Sequence, residues 1–151
     1  MKLIIENWLK FINEQGEKKN ISYSAVMIDE ESINKLKEKF DEYKPENFVY
    51  EAKDYPLPHH MTITMGALGK YSESYPNGET INLKVVGYGI SNDAMAIEVE
   101  PPSEINSKSR PHITFALPPN GKPFLSNKIE NWKSVEETFD ISGTVEEVPQ
   151  K

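Results

Sequence analysis

Two separated stretches of this 151-residue chain alternate polar and apolar residues with a period of two, the pattern of a strand that buries one face. In His60-Met61-Thr62-Ile63-Thr64-Met65, the set His60, Thr62 and Thr64 opposes Met61, Ile63 and Met65. In His112-Ile113-Thr114-Phe115-Ala116-Leu117, the set His112, Thr114 and Ala116 opposes Ile113, Phe115 and Leu117. A proline stands just upstream of each copy, Pro58 and Pro111, and disfavours helix for the residue before it. Each strand therefore presents a histidine and, roughly 7 Å further along the same face, a threonine hydroxyl.

The remaining pattern fills in around this pair. Ile5, Trp8, Leu9 and Ile12 fall at helical spacing and predict a helix over Ile4 to Glu14, closed by Gly16. Ile21 to Ile28 predicts a strand, with Tyr23, Ala25 and Met27 opposite Ser22, Ser24 and Val26. Asp29, Glu30 and Glu31 suit the first turn of a helix whose buried stripe is Ile33, Leu36, Phe40 and Tyr43, and Pro45 stops it. Phe48 to Ala52 predicts a short strand. The stretch Ala67 to Glu79 is a long loop, either a substrate lid or a surface loop. Ile81 to Ile90 and Ala94 to Glu100 predict a hairpin, with Gly87 and Gly89 marking a bulge or a close backbone approach. Ser126 is placed to cap a short helix through Trp132, and Phe139 to Val148 closes the sheet. Each half of the chain then holds one helix and about three strands, an α+β arrangement.

Composition narrows the partners. The length fits a single domain over 1–151, with 37% hydrophobic and 27% charged residues. The net charge of −7 opposes extended nucleic-acid binding, which needs a basic surface. A small nucleotide in one cleft needs only a few cations, and Lys108, Arg110, Lys122 and Lys128 gather around the second motif, unless they are simply solvated loop charges. No apolar run approaches a membrane span. The opening Met-Lys-Leu-Ile-Ile reaches Glu6 too soon for a signal sequence, so a cytoplasmic location is expected. The absence of cysteine removes disulfides, thiolate metal sites and cysteine nucleophiles.

Two histidines on one surface can act as general base and general acid near neutral pH, and the threonine hydroxyls can hold the oxygens of an anion between them. The substrate this suggests is a phosphodiester. For a single H-x-T the plainer explanation is a half-buried strand whose polar face meets water, but a chain with three histidines repeats the pattern in both strands. His59, with Met61 two residues on, is expected at the strand's start or among the core-facing side chains, in a structural role. Adjacent strand residues point to opposite faces, so His59, His60 and His112 are not expected to share a metal ion, and no cofactor is expected.

His60-Met61-Thr62 and His112-Ile113-Thr114, each inside an apolar strand, resemble the paired signature of the 2H phosphoesterase (LigT-like) superfamily. Small size and the wording His59-His60-Met61-Thr62-Ile63 are most similar to the phage anti-CBASS cyclic-oligonucleotide phosphodiesterases. The resemblance implies a bilobal α+β fold: two pseudo-symmetric antiparallel sheets with flanking helices and a central cleft holding both motif strands. It implies metal-independent cleavage of nucleotide phosphodiesters, with His60 and His112 as acid and base and Thr62 and Thr114 on the phosphate. It also places the protein in the host cytoplasm if it is phage-encoded.

Nucleotide recognition calls for an aromatic platform and cations, since stacking contributes about 1–3 kcal/mol per base. Tyr23 and Tyr88 are the strand-borne candidates, a loop tyrosine (Tyr71 or Tyr75) is a further one, and Arg110 and Lys122 are the candidate cations. The substrate is then a cyclic di- or oligonucleotide cut at 3′-5′ bonds, or an RNA end carrying a 2′,3′-cyclic phosphate. The rival functions are a module that sequesters nucleotide without cutting it and a purely structural domain. Base preference, oligomeric state and the division of acid and base between the histidines are not readable from sequence.

Overall fold

A computed structural model describes residues 20–105 and 110–150 of the chain. The helix expected over Ile4 to Glu14, and Lys108, lie outside the described residues. In chain order the elements are β1 (Ile21–Ile28), α1 (Glu30–Phe40) with a 3-10 turn Asp41–Tyr43, and β2 (His60–Met65). A 3-10 turn Gly69–Ser72 follows, then β3 (Thr80–Ile90), β4 (Met95–Glu100), β5 (His112–Ala116), a 3-10 turn Pro123–Lys128 and β6 (Trp132–Pro149).

The strands close into one antiparallel barrel in the order β1-β2-β5-β4-β3-β6. This corrects the bilobal α+β expectation of two pseudo-symmetric sheets around a central cleft. The barrel closes through β6, an 18-residue strand paired with β3 on one side and with β1 on the other. The pairing of β2 with β5 already unites the other strands in one sheet, β1-β2-β5-β4-β3, and β6 closes that sheet on itself, leaving no edge exposed to pairing. Sequence periodicity missed the first half of β6 because Lys133 to Thr138 carries one apolar residue, Val135, and shows no alternation to read. The helix expected from Ser126 to Trp132 is instead a 3-10 turn that ends at Lys128, and Trp132 opens β6.

Several expectations hold. The β3–β4 hairpin forms, and its register shifts between Val85 and Gly87, where a bulge was expected. Helix α1 starts at Asp29, whose carboxylate accepts from the Ser32 backbone N–H at 2.8 Å. It buries Leu36 and Phe40, whereas Tyr43 is 44% exposed and leaves the stripe. Phe48 to Ala52 forms only isolated bridges, Val49 with Leu117 and Glu51 with Pro56.

One interior row runs across the wall in register, Val26 beside Met61, Met61 beside Ile113, Ile113 beside Ile97, and Ile97 beside Tyr88. Val26, Met61, Ile97 and Ile113 are fully buried, each contributing roughly 1.5–3 kcal/mol over an exposed position. The Ala67 to Glu79 loop belongs to this core, burying Leu68, Tyr71 and Tyr75. The Tyr75 hydroxyl bonds the Ser103 backbone, donating to its carbonyl and accepting from its N–H. Such a loop is packed in place and is not a lid. A second, smaller cluster of Leu57, Ala94, Ala96, Leu117 and Ile129 lies apart from it, with Tyr55 and Trp132 against it.

Candidate functional site

Strands β2 and β5 are neighbours, with Met61 opposite Ile113 in an antiparallel pair. Counting one residue to either side sets His60 opposite Thr114 and Thr62 opposite His112. Because Met61 and Ile113 point inward, all four motif side chains lie on the outer face of the wall. Directly opposite residues have Cβ atoms about 4.5–5.5 Å apart, and diagonal ones stand within about 7–8 Å. The two imidazoles are such diagonal neighbours, each with the other strand's threonine across from it. The rows continue outward with Met27 beside His60, Ala25 beside Thr62, Ala96 beside Thr114 and Glu98 beside His112.

Around His60 the neighbours are aromatic. Tyr23 of β1 stacks on it with ring centroids 4.9 Å apart, and Tyr55 meets it edge-on at 5.4 Å. His59 stands perpendicular to it, the two Nδ1 atoms 2.9 Å apart, and stacks on Tyr55 at 4.5 Å. Burial, and then the positive charges that His59 and His112 would carry, hold the His60 pKa down to about 3. His60 is therefore neutral at physiological pH, and the influence of His112 on it places the two motif histidines within electrostatic reach of each other.

His112 is fixed differently. Its Nδ1–H donates to the Arg110 carbonyl at 2.7 Å, which leaves Nε2 as the free ring nitrogen. Burial lowers its pKa, and the bond to the Arg110 carbonyl opposes that shift. The Arg110 guanidinium binds both oxygens of Glu98, at 3.1 and 3.2 Å, and lies 5.8 Å from the Trp132 ring centre. Trp132 in turn stands 6.3 Å from His112. Gly89 permits this arrangement, because a Cβ there would sit 2.7 Å from the Trp132 ring. Thr114 shares a 2.8 Å hydrogen bond with the fully buried hydroxyl of Ser126, on the 3-10 turn after β5.

Of the residues singled out from sequence, His60, Thr62, His112, Thr114, Tyr23 and Arg110 come together on this face. Lys122 is exposed at the start of the 3-10 turn that carries Ser126. Tyr88 is not brought to the histidines. It points into the barrel, packs on Phe40 and stacks on Tyr43 at 4.8 Å. There it lines a cleft of about 140 Å³ with Tyr43, Ile90, Asn131 and Lys133. Tyr71 and Tyr75 are buried in the core.

His59 takes the first of the two places expected of it, at the start of the strand and not among the core-facing side chains. It precedes β2, so strand alternation does not govern its direction. Its carbonyl accepts from the Ile28 N–H at 3.0 Å, and its ring reaches the outer face beside His60. Tyr55, Glu98, Ser126 and Trp132 were not identified from sequence. Alternation along β4 does put Glu98 on the polar face, but only the pairing with β5 sets it against His112. The surroundings are acidic as well as aromatic: the charges of Asp54 and Glu146 act on Tyr23, and that of Glu146 also on His59.

Among the described residues, no three His, Asp or Glu side chains gather so as to hold a metal ion, and no helix is long and apolar enough to cross a membrane. Compared with models of known protein families and with curated proteins, the chain matches none of them.

Proposed function

We propose that the protein is a phosphodiesterase of the 2H type, cleaving 3′-5′ bonds of small cyclic di- or oligonucleotides by acid–base catalysis at His60 and His112. One observation carries this: the antiparallel register about Met61 and Ile113, which sets each motif histidine opposite the other motif's threonine on a single face. A bridging phosphate there meets two imidazoles and two hydroxyls at once.

The surroundings divide the roles. His60 has two other histidines and Met27 around it and is held neutral, the state a base needs. His112 has a carbonyl on Nδ1, which favours its protonated form against the lowering by burial. In the proposed step the ribose 2′-oxygen attacks phosphorus and its proton passes to His60 Nε2. The P–O5′ bond breaks as the departing oxygen takes the proton on His112 Nε2. The product is a 2′,3′-cyclic phosphate with a free 5′-hydroxyl, and exchange with water returns both imidazoles to their starting states. Small nucleotides suit the site better than long nucleic acid. The net charge is −7, and the Arg110 cation is already engaged by Glu98.

The test is incubation of the protein with 3′-5′ cyclic dinucleotides and trinucleotides and with 2′,3′-cyclic nucleotides, followed by chromatography, with and without EDTA. Linear products from the cyclic oligonucleotides, unchanged by chelator, are expected. Opening of the 2′,3′-cyclic nucleotides alone would move the substrate to RNA ends. Recovery of a tightly bound nucleotide intact would make the protein a sequestering module instead.

A further inference from the structure

Two Nδ1 atoms 2.9 Å apart are held together by one proton between them. With a proton on each nitrogen the N–H groups collide, and with none the lone pairs repel. The His59–His60 contact is therefore a one-proton hydrogen bond, and its direction decides which nitrogen of His60 is available. If His59 donates, His60 carries its own proton on Nε2 and cannot act there as a base. If His60 donates, its Nε2 is bare.

We infer that His59 is a positioning residue: its Nδ1 accepts the Nδ1–H of His60 and so holds the His60 ring in place with Nε2 free to take a proton. This rests on the assignment of His60 as the base. The anchoring of His59 supports it. The residues before it, Leu57 and Pro58, are buried, its carbonyl is tied to the end of β1, and its ring is fixed against Tyr55. When His60 takes up a proton at Nε2, its Nδ1–H already points at a neutral acceptor, and the bond strengthens as the imidazolium forms. Burial favours the neutral form of His59, the form that can accept, against the opposing pull of Glu146. The ionisable groups facing the pair are His112, Tyr23 and Tyr55 around His60, and Tyr55 and Glu146 around His59. None of them competes for His60 Nδ1.

Two substitutions separate positioning from packing. His59→Phe keeps a ring against Tyr55 but offers no acceptor, whereas His59→Asn keeps an acceptor near the Nδ1 position and loses the ring. Histidine ring ¹H–¹⁵N correlation spectra of the free protein should show His60 protonated on Nδ1 in the wild type and in His59→Asn, and on Nε2 in His59→Phe. This readout needs no substrate, so it stands even if no phosphodiester is cleaved. Where cleavage is seen, kcat should fall about 10- to 100-fold in His59→Phe, with a changed pH profile, and recover largely in His59→Asn. A wild-type His60 carrying its proton on Nε2, or a His60 tautomer that His59→Phe leaves unchanged, overturns the inference.

Discussion

Replacing His60 or His112 with alanine is expected to lower kcat/KM for the cleaved phosphodiester by about 10²–10⁴-fold each, with the barrel intact. Both side chains lie on the outer face of the wall, so neither removal opens a cavity among Val26, Met61, Ile97 and Ile113. Thermal unfolding and circular dichroism should stay close to wild type while turnover collapses, and near-wild-type turnover in either variant would remove that histidine from the chemistry. The pH dependence follows from the same assignment. The base limb is set by His60, whose pKa is about 3. The acid limb is set by His112, held below the ordinary histidine value by burial. The kcat/KM profile should therefore peak on the acid side of about 6.5 and fall as His112 loses its proton.

Acidification is expected to destabilise the fold through the same residue. In the unfolded chain His60 binds a proton near its ordinary pKa of about 6.5, whereas in the folded protein it does so only near 3. Between those values the unfolded state holds more protons, so stability is fully present above about 6.5 and is lost as pH falls toward 3. At pH 4.5 the loss from this one group is on the order of 3 kcal/mol, a large part of the roughly 5–15 kcal/mol that holds a domain folded. His59 and His112, also lowered by burial, add in the same direction. Urea unfolding at pH 7 and pH 4.5 should show the wild type losing about 3 kcal/mol more than His60→Asn, which has no proton to gain at that position. Equal losses in the two proteins would mean that His60 is not buried as described.

The strand-level pattern was legible because it depends only on period. Alternation around Met61 and Ile113 placed Met61, Ile63, Ile113 and Phe115 inward as they are, but it failed at the strand ends, where Met65 is 75% exposed and Ala116 is buried. It grouped Tyr23 with Ala25 and Met27 without assigning that set a face, and Tyr23 stacks on His60. Pairing was not legible. A period of two says which face of a strand is buried but not which strand lies beside it, so two sheets were expected where all six strands form one barrel. Tyr88 was misplaced for the same reason. It sits between two glycines past a register shift and follows the interior row of Ile97 and Ile113. Of the parts of the site contributed by irregular backbone, His59 was expected at the start of the strand, but outside the strand its direction has no period to read, and its contact with His60 was not legible. Ser126 and Trp132 escaped because the stretch between them reads like a short helix, whereas the structure has a 3-10 turn that carries Ser126 and ends at Lys128.

The most direct measurement follows the ring resonances of His60 and His112 together while a phosphorothioate-linked cyclic dinucleotide, which resists cleavage, is titrated into the protein. Both rings should shift along one saturation curve, because one phosphate contacts both. Binding that moves only one of them, or neither, would contradict a shared site.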